Sequence, residues 1–288
     1  MSSIKEESLK SFMTAKYEEI AEEIFHIASD GSKVRVLTSK AQEKPGIGYT
    51  LLLLPGWNTV VPSWDEVLME ASKDFDIVYL DSREKGSSKL AKKSINDADR
   101  HSSDIQEVLK KLKIDESKLI IFTSSFSVFL AADGLAKKKF GSFFTIFLGP
   151  SWRFNMPPTT KYIMHVLPNF VLDITKPFWK WWIRKRKSED PEQAAKYIRA
   201  LDEADAKKWR SIAKRFAFGH FGETFKKIEN QVIVVGMEKD KMHKSEEAKS
   251  ISDFMKNSTY IDMETNKKTH SAEMVKEIRK LITKFETK

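Results

Sequence analysis

The sequence predicts an α/β protein, a doubly wound and mostly parallel sheet into which a helical segment is inserted. Three observations carry this expectation. Between residues 50 and 150, short apolar runs alternate with amphipathic stretches of helical period. The apolar runs are near-continuous, as in strands buried on both faces of a parallel sheet. The alternation stops over residues 151–228, which contain no convincing strand, and then resumes.

Taken in order, Leu9, Phe12, Met13, Tyr17 and Ile20 space an amphipathic opening helix over residues 8–20. "EIFHIASDGSKVRVLT" reads as two strands turning at Asp30-Gly31. "YTLLLLPG" is a core strand stopped by Pro55 and Gly56. "WDEVLMEASKDF" is helical and "DIVYLD" a strand. "DADRHSSDIQEVLKKLKI" is a helix with Ile105, Val108, Leu109 and Leu112 on one face. "KLIIFT", "SVFLAADGLAKKK" and "SFFTIFLG" then read strand, helix, strand. In the following segment Ile198, Leu201, Trp209, Ile212 and Phe216 keep helical spacing. "NQVIVVG", a helix over residues 245–256, "STYIDME" and a final helix from Ala272 restore the α/β pattern. Residues 1–150 and 229–288 are thus expected to form the core, and residues 151–228 a helical cap.

Composition narrows the function. The chain of 288 residues, 41% hydrophobic, is long enough to bury a substantial core. It has no cysteine, which excludes disulfides, thiolate metal sites and cysteine nucleophiles. "MSSIKEESLK" is charged where a signal peptide needs an apolar stretch, and no apolar run approaches the ~18 residues of a spanning helix. A soluble, cytoplasmic protein is expected. The net charge of +9 accompanies no zinc-finger spacing, RNA-recognition motif or basic region leading into heptads, so no nucleic-acid partner is expected. None of the six histidines has metal-ligand spacing, so neither a metal nor a cofactor is expected. "KPFWKWWIRKRK", residues 176–187, interleaves tryptophans with six Lys/Arg and suits peripheral contact with a membrane or anionic surface. The plainer reading is a cap helix that buries Trp179 and Trp182, with Pro177 interrupting the stretch.

Ligands of an open α/β sheet sit beyond the carboxyl ends of its strands. Those ends carry "PGWN" from Pro55, "TSSFS" from Thr123, Asp240 in "VIVVGMEKDKMH" and His270 in "NKKTHSAEMV". With a serine, an aspartate and a histidine in that order, each past a strand, the chain resembles the α/β-hydrolase superfamily from about residue 22 onward. The resemblance implies Ser125 as the nucleophile of the family's G-x-S-x-G elbow, with Thr123 and Ser127 where the family favours glycine. It implies His270 as base, Asp240 as the orienting acid with Glu238 as fallback, and the Trp57 and Phe126 backbone amides as oxyanion donors. "LDSREKGSS" resembles a family turn in which Asp81 and Arg83 are structural. Asn58, Trp152, His165 and Trp179 are the expected pocket-lining residues.

The implied activity is hydrolysis of a carboxylic ester or thioester with a hydrophobic acyl or alcohol part, through an acyl-enzyme. The alternative is a catalytically degenerate member that binds an apolar ligand or an anionic surface through its cap.

Overall fold

The computed structural model describes residues 13–154, 168, 170–183, 191–239 and 245–287. Eight strands form one sheet in the order β1-β2-β4-β3-β5-β6-β7-β8. They are β1 (Glu22–Ile27), β2 (Lys33–Ser39), β3 (Thr50–Leu54), β4 (Asp76–Leu80), β5 (Leu119–Ser124), β6 (Phe144–Leu148), β7 (Val232–Gly236) and β8 (Ser258–Asp262). β1 and β2 form the expected hairpin, with Ile27 opposite Lys33 and Gly31 at φ 81° in the turn. β2 also pairs antiparallel with β4, and every other pairing is parallel.

Strand period sorts the side chains into two cores. On one face lie Leu52, Leu54, Val78, Leu80, Leu119 and Ile121; on the other lie Leu51, Leu53, Ile77, Tyr79, Ile120 and Phe122. All are buried, each aliphatic or aromatic side chain contributing roughly 1.5–3 kcal/mol of transfer free energy. This two-sided burial is why the strands read as continuous apolar runs. α1 (Lys16–Ile20), α2 (Asp65–Ala71) and α11 (Ala272–Glu286) cover the second face. α3 (Ala98–Lys111), α4 (Phe126–Ala136) and α9 (Ser245–Phe254) cover the first.

Among the described residues, four helices lie between β6 and β7: α5 (Phe170–Trp182), α6 (Pro191–Asp202), α7 (Ala206–Phe216) and α8 (Gly222–Lys226). No strand occurs there among the described residues. The helical spacing from Ile198 to Phe216 belongs to two helices, because the Asp205 carboxylate accepts from the Lys207 and Lys208 amides and caps a new start. α5 runs through Pro177 rather than being interrupted by it, and its Trp179 is exposed. Of the expected opening helix, residues 13–20 are described and only Lys16–Ile20 is helical. Ile212 and Phe216 of α7 and Phe225 of α8 join the first core. No described helix is long and apolar enough to cross a membrane.

Candidate active site

The strand order turns around β3, with β4 on one side and β5 on the other, so the loops after β3 and β5 emerge side by side. Such a switch point is where an open α/β sheet presents a crevice. Here it brings together residues 55–59 and residues 124–126.

Ser125 is the single residue between β5 and α4, and its backbone sits at φ 51°, ψ −110°. That conformation is unfavourable for a side chain with a Cβ, costing on the order of 1–3 kcal/mol, and persists only where the surroundings enforce it. They do so here. The Ser125 amide donates to the Leu148 carbonyl at 2.9 Å, and its carbonyl accepts from the Val128 amide at 3.1 Å. The flanking departures from glycine are absorbed by hydrogen bonds. The Thr123 hydroxyl donates to the Ile146 carbonyl at 2.8 Å, and the Ser127 hydroxyl donates to the Pro55 carbonyl. Ser124 belongs to the strand and Ser127 to the helix, which leaves Ser125, half-buried, at the turn itself.

Gly56 lies against this turn. A Cβ added there would stand 3.3 Å from the Ser124 carbonyl oxygen and 3.5 Å from Ser125 Cβ. The absence of a side chain is what lets the two loops approach. The Gly56 carbonyl accepts from the Thr59 amide at 3.2 Å, the Thr59 hydroxyl at 2.8 Å and Lys85 Nζ at 2.5 Å. Asn58 occupies this turn at φ 55°, a conformation that asparagine tolerates well. The Phe126 amide opens α4, among the helix amides that lack an intrahelical acceptor.

His270 follows α10 (Asn266–Thr269) and precedes the Ser271 cap of α11. Its ring stacks on Trp64, centroids 4.1 Å apart, and Trp64 in turn packs edge-on against Phe122 of β5 at 5.5 Å. His270 Nδ1 lies 3.0 Å from the Asn266 carbonyl and 3.0 Å from the Thr269 hydroxyl. A carbonyl only accepts, so the Asn266 contact is a hydrogen bond when Nδ1 carries a proton, and the neutral ring in that tautomer leaves Nε2 as an acceptor. Asp240 and His165 lie outside the described residues. Up to that point the loop after β7 runs beside the loop after β8: the Lys239 amide donates to the Glu264 carbonyl at 2.8 Å. Glu238 is exposed, and its amide donates to Asp262 at 3.1 Å.

Aromatic rings wall the elbow. Trp57 packs on Phe154 at 5.3 Å and on Trp209 of α7 at 4.9 Å; Phe126 packs on Phe154 at 5.2 Å and on Phe216 at 4.9 Å. Spacing within the inserted helices could have nominated Trp209 and Phe216, since both lie on the apolar stripe of α7. Trp152 packs on Phe254 of α9 at 5.2 Å and on His220 at 5.8 Å, and its amide donates to Glu247 at 2.8 Å. Trp179 contacts Phe178 and Trp182 of its own helix. The structure therefore gathers Ser125, Trp57, Asn58 and Phe126, and seats Trp152 and Trp179 in other surroundings.

The turn after β4 is held by buried charge. Arg83, fully buried, donates from Nε to Asp104 at 2.5 Å and from Nη1 to Asp30 at 2.7 Å. Burial works against its charge, but these two carboxylates outweigh it and raise its pKa. Asp81 accepts from the Ser87 hydroxyl at 2.8 Å. Beneath Phe126, His101 is buried against Asn96 at 2.6 Å; burial, together with the charges of Arg83 and Arg100, lowers its pKa to about 3. No group of three or more acidic or histidine side chains among the described residues is placed to hold a metal ion.

No protein-family model and no curated protein matches the sequence. Solved structures do. A membrane phospholipase A described as a bacterial virulence factor superposes with a TM-score of 0.72 at 14% identity, over 99% of this chain and 93% of that one. An esterase from Exiguobacterium antarcticum gives 0.70 at 18% identity, over 92% and 100%. An enol-lactonase from Burkholderia xenovorans gives 0.68 at 13% identity, over 92% and 100%. The chain has the α/β-hydrolase fold.

Proposed function

We propose that the protein is a serine hydrolase that cleaves a carboxylic ester or thioester with a hydrophobic acyl or alcohol part. The observation that carries this reading is the backbone of Ser125, held at positive φ between a buried strand and a buried helix. An ordinary turn would relax it. In the proposed mechanism Ser125 Oγ attacks the substrate carbonyl while His270 Nε2 takes its proton. Asp240 steadies the resulting imidazolium, and the Trp57 and Phe126 amides hold the oxyanion. His270 then protonates the departing alcohol or thiol. Water attacks the acyl-enzyme by the same route, releasing the acid. The rings of Trp57, Phe154, Phe126 and Phe216 favour an apolar substrate portion.

A fluorophosphonate probe followed by intact mass tests this. One adduct, absent from Ser125→Ala, is the expected result; folded wild-type protein that stays unmodified overturns the reading. The alternative, a non-catalytic binder, draws support from the tight aromatic packing on both Trp57 and Phe126, and predicts that second outcome.

The proposal extends to peripheral contact with an anionic membrane through α5. At about 100° per residue, Phe170, Ile174, Phe178 and Trp181 share one face, and all four are exposed. Lys176 and Lys180 lie on the opposite face, tied to the Ala204 carbonyl at 3.0 Å and to Asp202. The helix is thus pinned by one side with its apolar side turned outward, in a chain of net charge +9. Flotation with phosphatidylglycerol vesicles should carry the wild type, and Ile174→Ser/Phe178→Ser should stay behind. Equal recovery of the two proteins would dismiss the contact.

A further inference from the structure

The stretch "SREKGSS", residues 82–88, buries three charged side chains, and only Arg83 is accounted for by carboxylates on both sides. Lys85 is different. Its ammonium, 5% exposed by residue, donates to two main-chain carbonyls of the loop after β3: Gly56 at 2.5 Å and Thr59 at 2.9 Å. Glu84 supplies the nearby negative charge at 3.4 Å. Burying an ammonium is costly, and the Thr59 hydroxyl already bonds the Gly56 carbonyl, so holding the turn closed does not by itself call for a cation.

What the cation adds follows from peptide geometry. The Gly56 carbonyl and the Trp57 amide belong to one planar trans peptide unit, in which C=O and N–H point in opposite directions. A donor on the oxygen fixes the plane and directs the N–H away from Lys85. A charged donor also polarises the unit, which strengthens the N–H as a hydrogen-bond donor at its other end. Gly56 borders Ser125, with a Cβ position 3.5 Å from Ser125 Cβ, so this peptide lies beside the nucleophile.

Lys85 is itself held from the inserted helices. Lys208 of α7 donates from Nζ to the Lys85 and Ser88 carbonyls, each at 2.6 Å. At Gly86 a Cβ would stand 2.3 Å from the Glu203 carbonyl oxygen, so the turn presses on the residues that join α6 and α7. An unbroken path of hydrogen bonds therefore runs from α7 through the 85–88 turn to the Gly56 carbonyl.

We propose that Lys85 is a positioning residue of the oxyanion loop, orienting and polarising the Gly56–Trp57 peptide so that the Trp57 amide serves the reaction at Ser125. This rests on the hydrolase reading above. The test compares wild type, Lys85→Met and Lys85→Arg in the rate of fluorophosphonate labelling at Ser125, in kcat and KM for p-nitrophenyl butyrate, and in thermal unfolding. Losing an oxyanion donor outright costs ~10²–10³ in rate; here the amide remains and only its support goes, so Lys85→Met should lose about 10–10²-fold in labelling and kcat. KM should stay within about two-fold, since the contact matters to the charged intermediate rather than to the bound ester. Lys85→Arg should recover most of the rate. Should Lys85→Met not fold, Lys85→Gln, which keeps a donor but not the charge, takes its place and should fall between the two. A folded neutral variant that labels and turns over at the wild-type rate, whatever its melting temperature, overturns the proposal while leaving the hydrolase reading intact. Wild-type protein that takes no label at Ser125 overturns both.

Discussion

At the scale of single residues, the backbone of Ser125 makes a prediction about stability that opposes the one about activity. Glycine adopts positive φ without the penalty of a Cβ, so Ser125→Gly should abolish labelling yet raise stability by about 1 kcal/mol over Ser125→Ala. Urea denaturation of the two variants checks the sign; a glycine variant no more stable than the alanine one would mean the turn is not strained. The position of Ser125 was legible in the sequence, because a cluster of hydroxyls between a buried strand and a buried helix leaves a local trace. Its accommodation was not. Thr123, β-branched where the family favours glycine, fits because its hydroxyl bonds the Ile146 carbonyl across the sheet. Lys85 was equally hidden: its acceptors are carbonyls 29 and 26 residues away, and carbonyls carry no residue identity. Trp64, which stacks under His270, belongs to the same group.

At the scale of elements, the strands were readable because burial on both faces imposes apolar side chains at every position, as in the four leucines of β3. Helix limits were less readable where a single cap decides them. The break between α6 and α7 depends on Asp205, and in a chain 32% charged one acid among many is not singled out by spacing. Pro177 shows the converse, a residue that breaks most helices lying inside one that continues. Packing between elements supplies its own prediction. A Cβ at Gly134 of α4 would stand 2.3 Å from the ring of Phe140, a buried side chain on the approach to β6. Gly134→Ala should therefore destabilise the protein by about 1–3 kcal/mol through overpacking, despite alanine's better helix propensity. Adding Phe140→Leu should restore part of the loss; a Gly134→Ala variant as stable as wild type would show that the ring simply moves aside.

At the scale of the whole molecule, acid should weaken the fold in two stages. His101 has its pKa lowered to about 3, by burial first and then by Arg83 and Arg100. The unfolded chain takes up a proton near the ordinary histidine value of about 6.5, so stability is lost as pH falls from there toward 3. Glu18 acts lower down. Burial opposes its charge, but hydrogen bonds from Arg199 of α6 and Arg35 of β2 hold its pKa at about 2. That contribution is complete above about pH 4.5 and lost as pH falls toward 2. Urea midpoints between pH 7.5 and 3 should show the decline beginning near 6.5. His101→Gln should flatten its upper part and Glu18→Gln its lower part; an unchanged profile in either variant would remove that residue from the account. The doubly wound order of the sheet was implied by the alternation of elements, whereas the ties of the inserted helices to the core, Arg199 to Glu18 and Lys208 to Lys85, join residues far apart in sequence and leave no periodic mark. One such tie also has an optical meaning. Trp57, from the loop after β3, and Trp209, from α7, hold their indoles 4.9 Å apart at an angle of 51°, close enough and skewed enough for their excited states to couple. The circular dichroism of the native protein should carry that couplet, and either Trp57→Phe or Trp209→Phe should erase it. Any ligand or surface that lifts α7 from the sheet would then announce itself in the spectrum of the unlabelled protein.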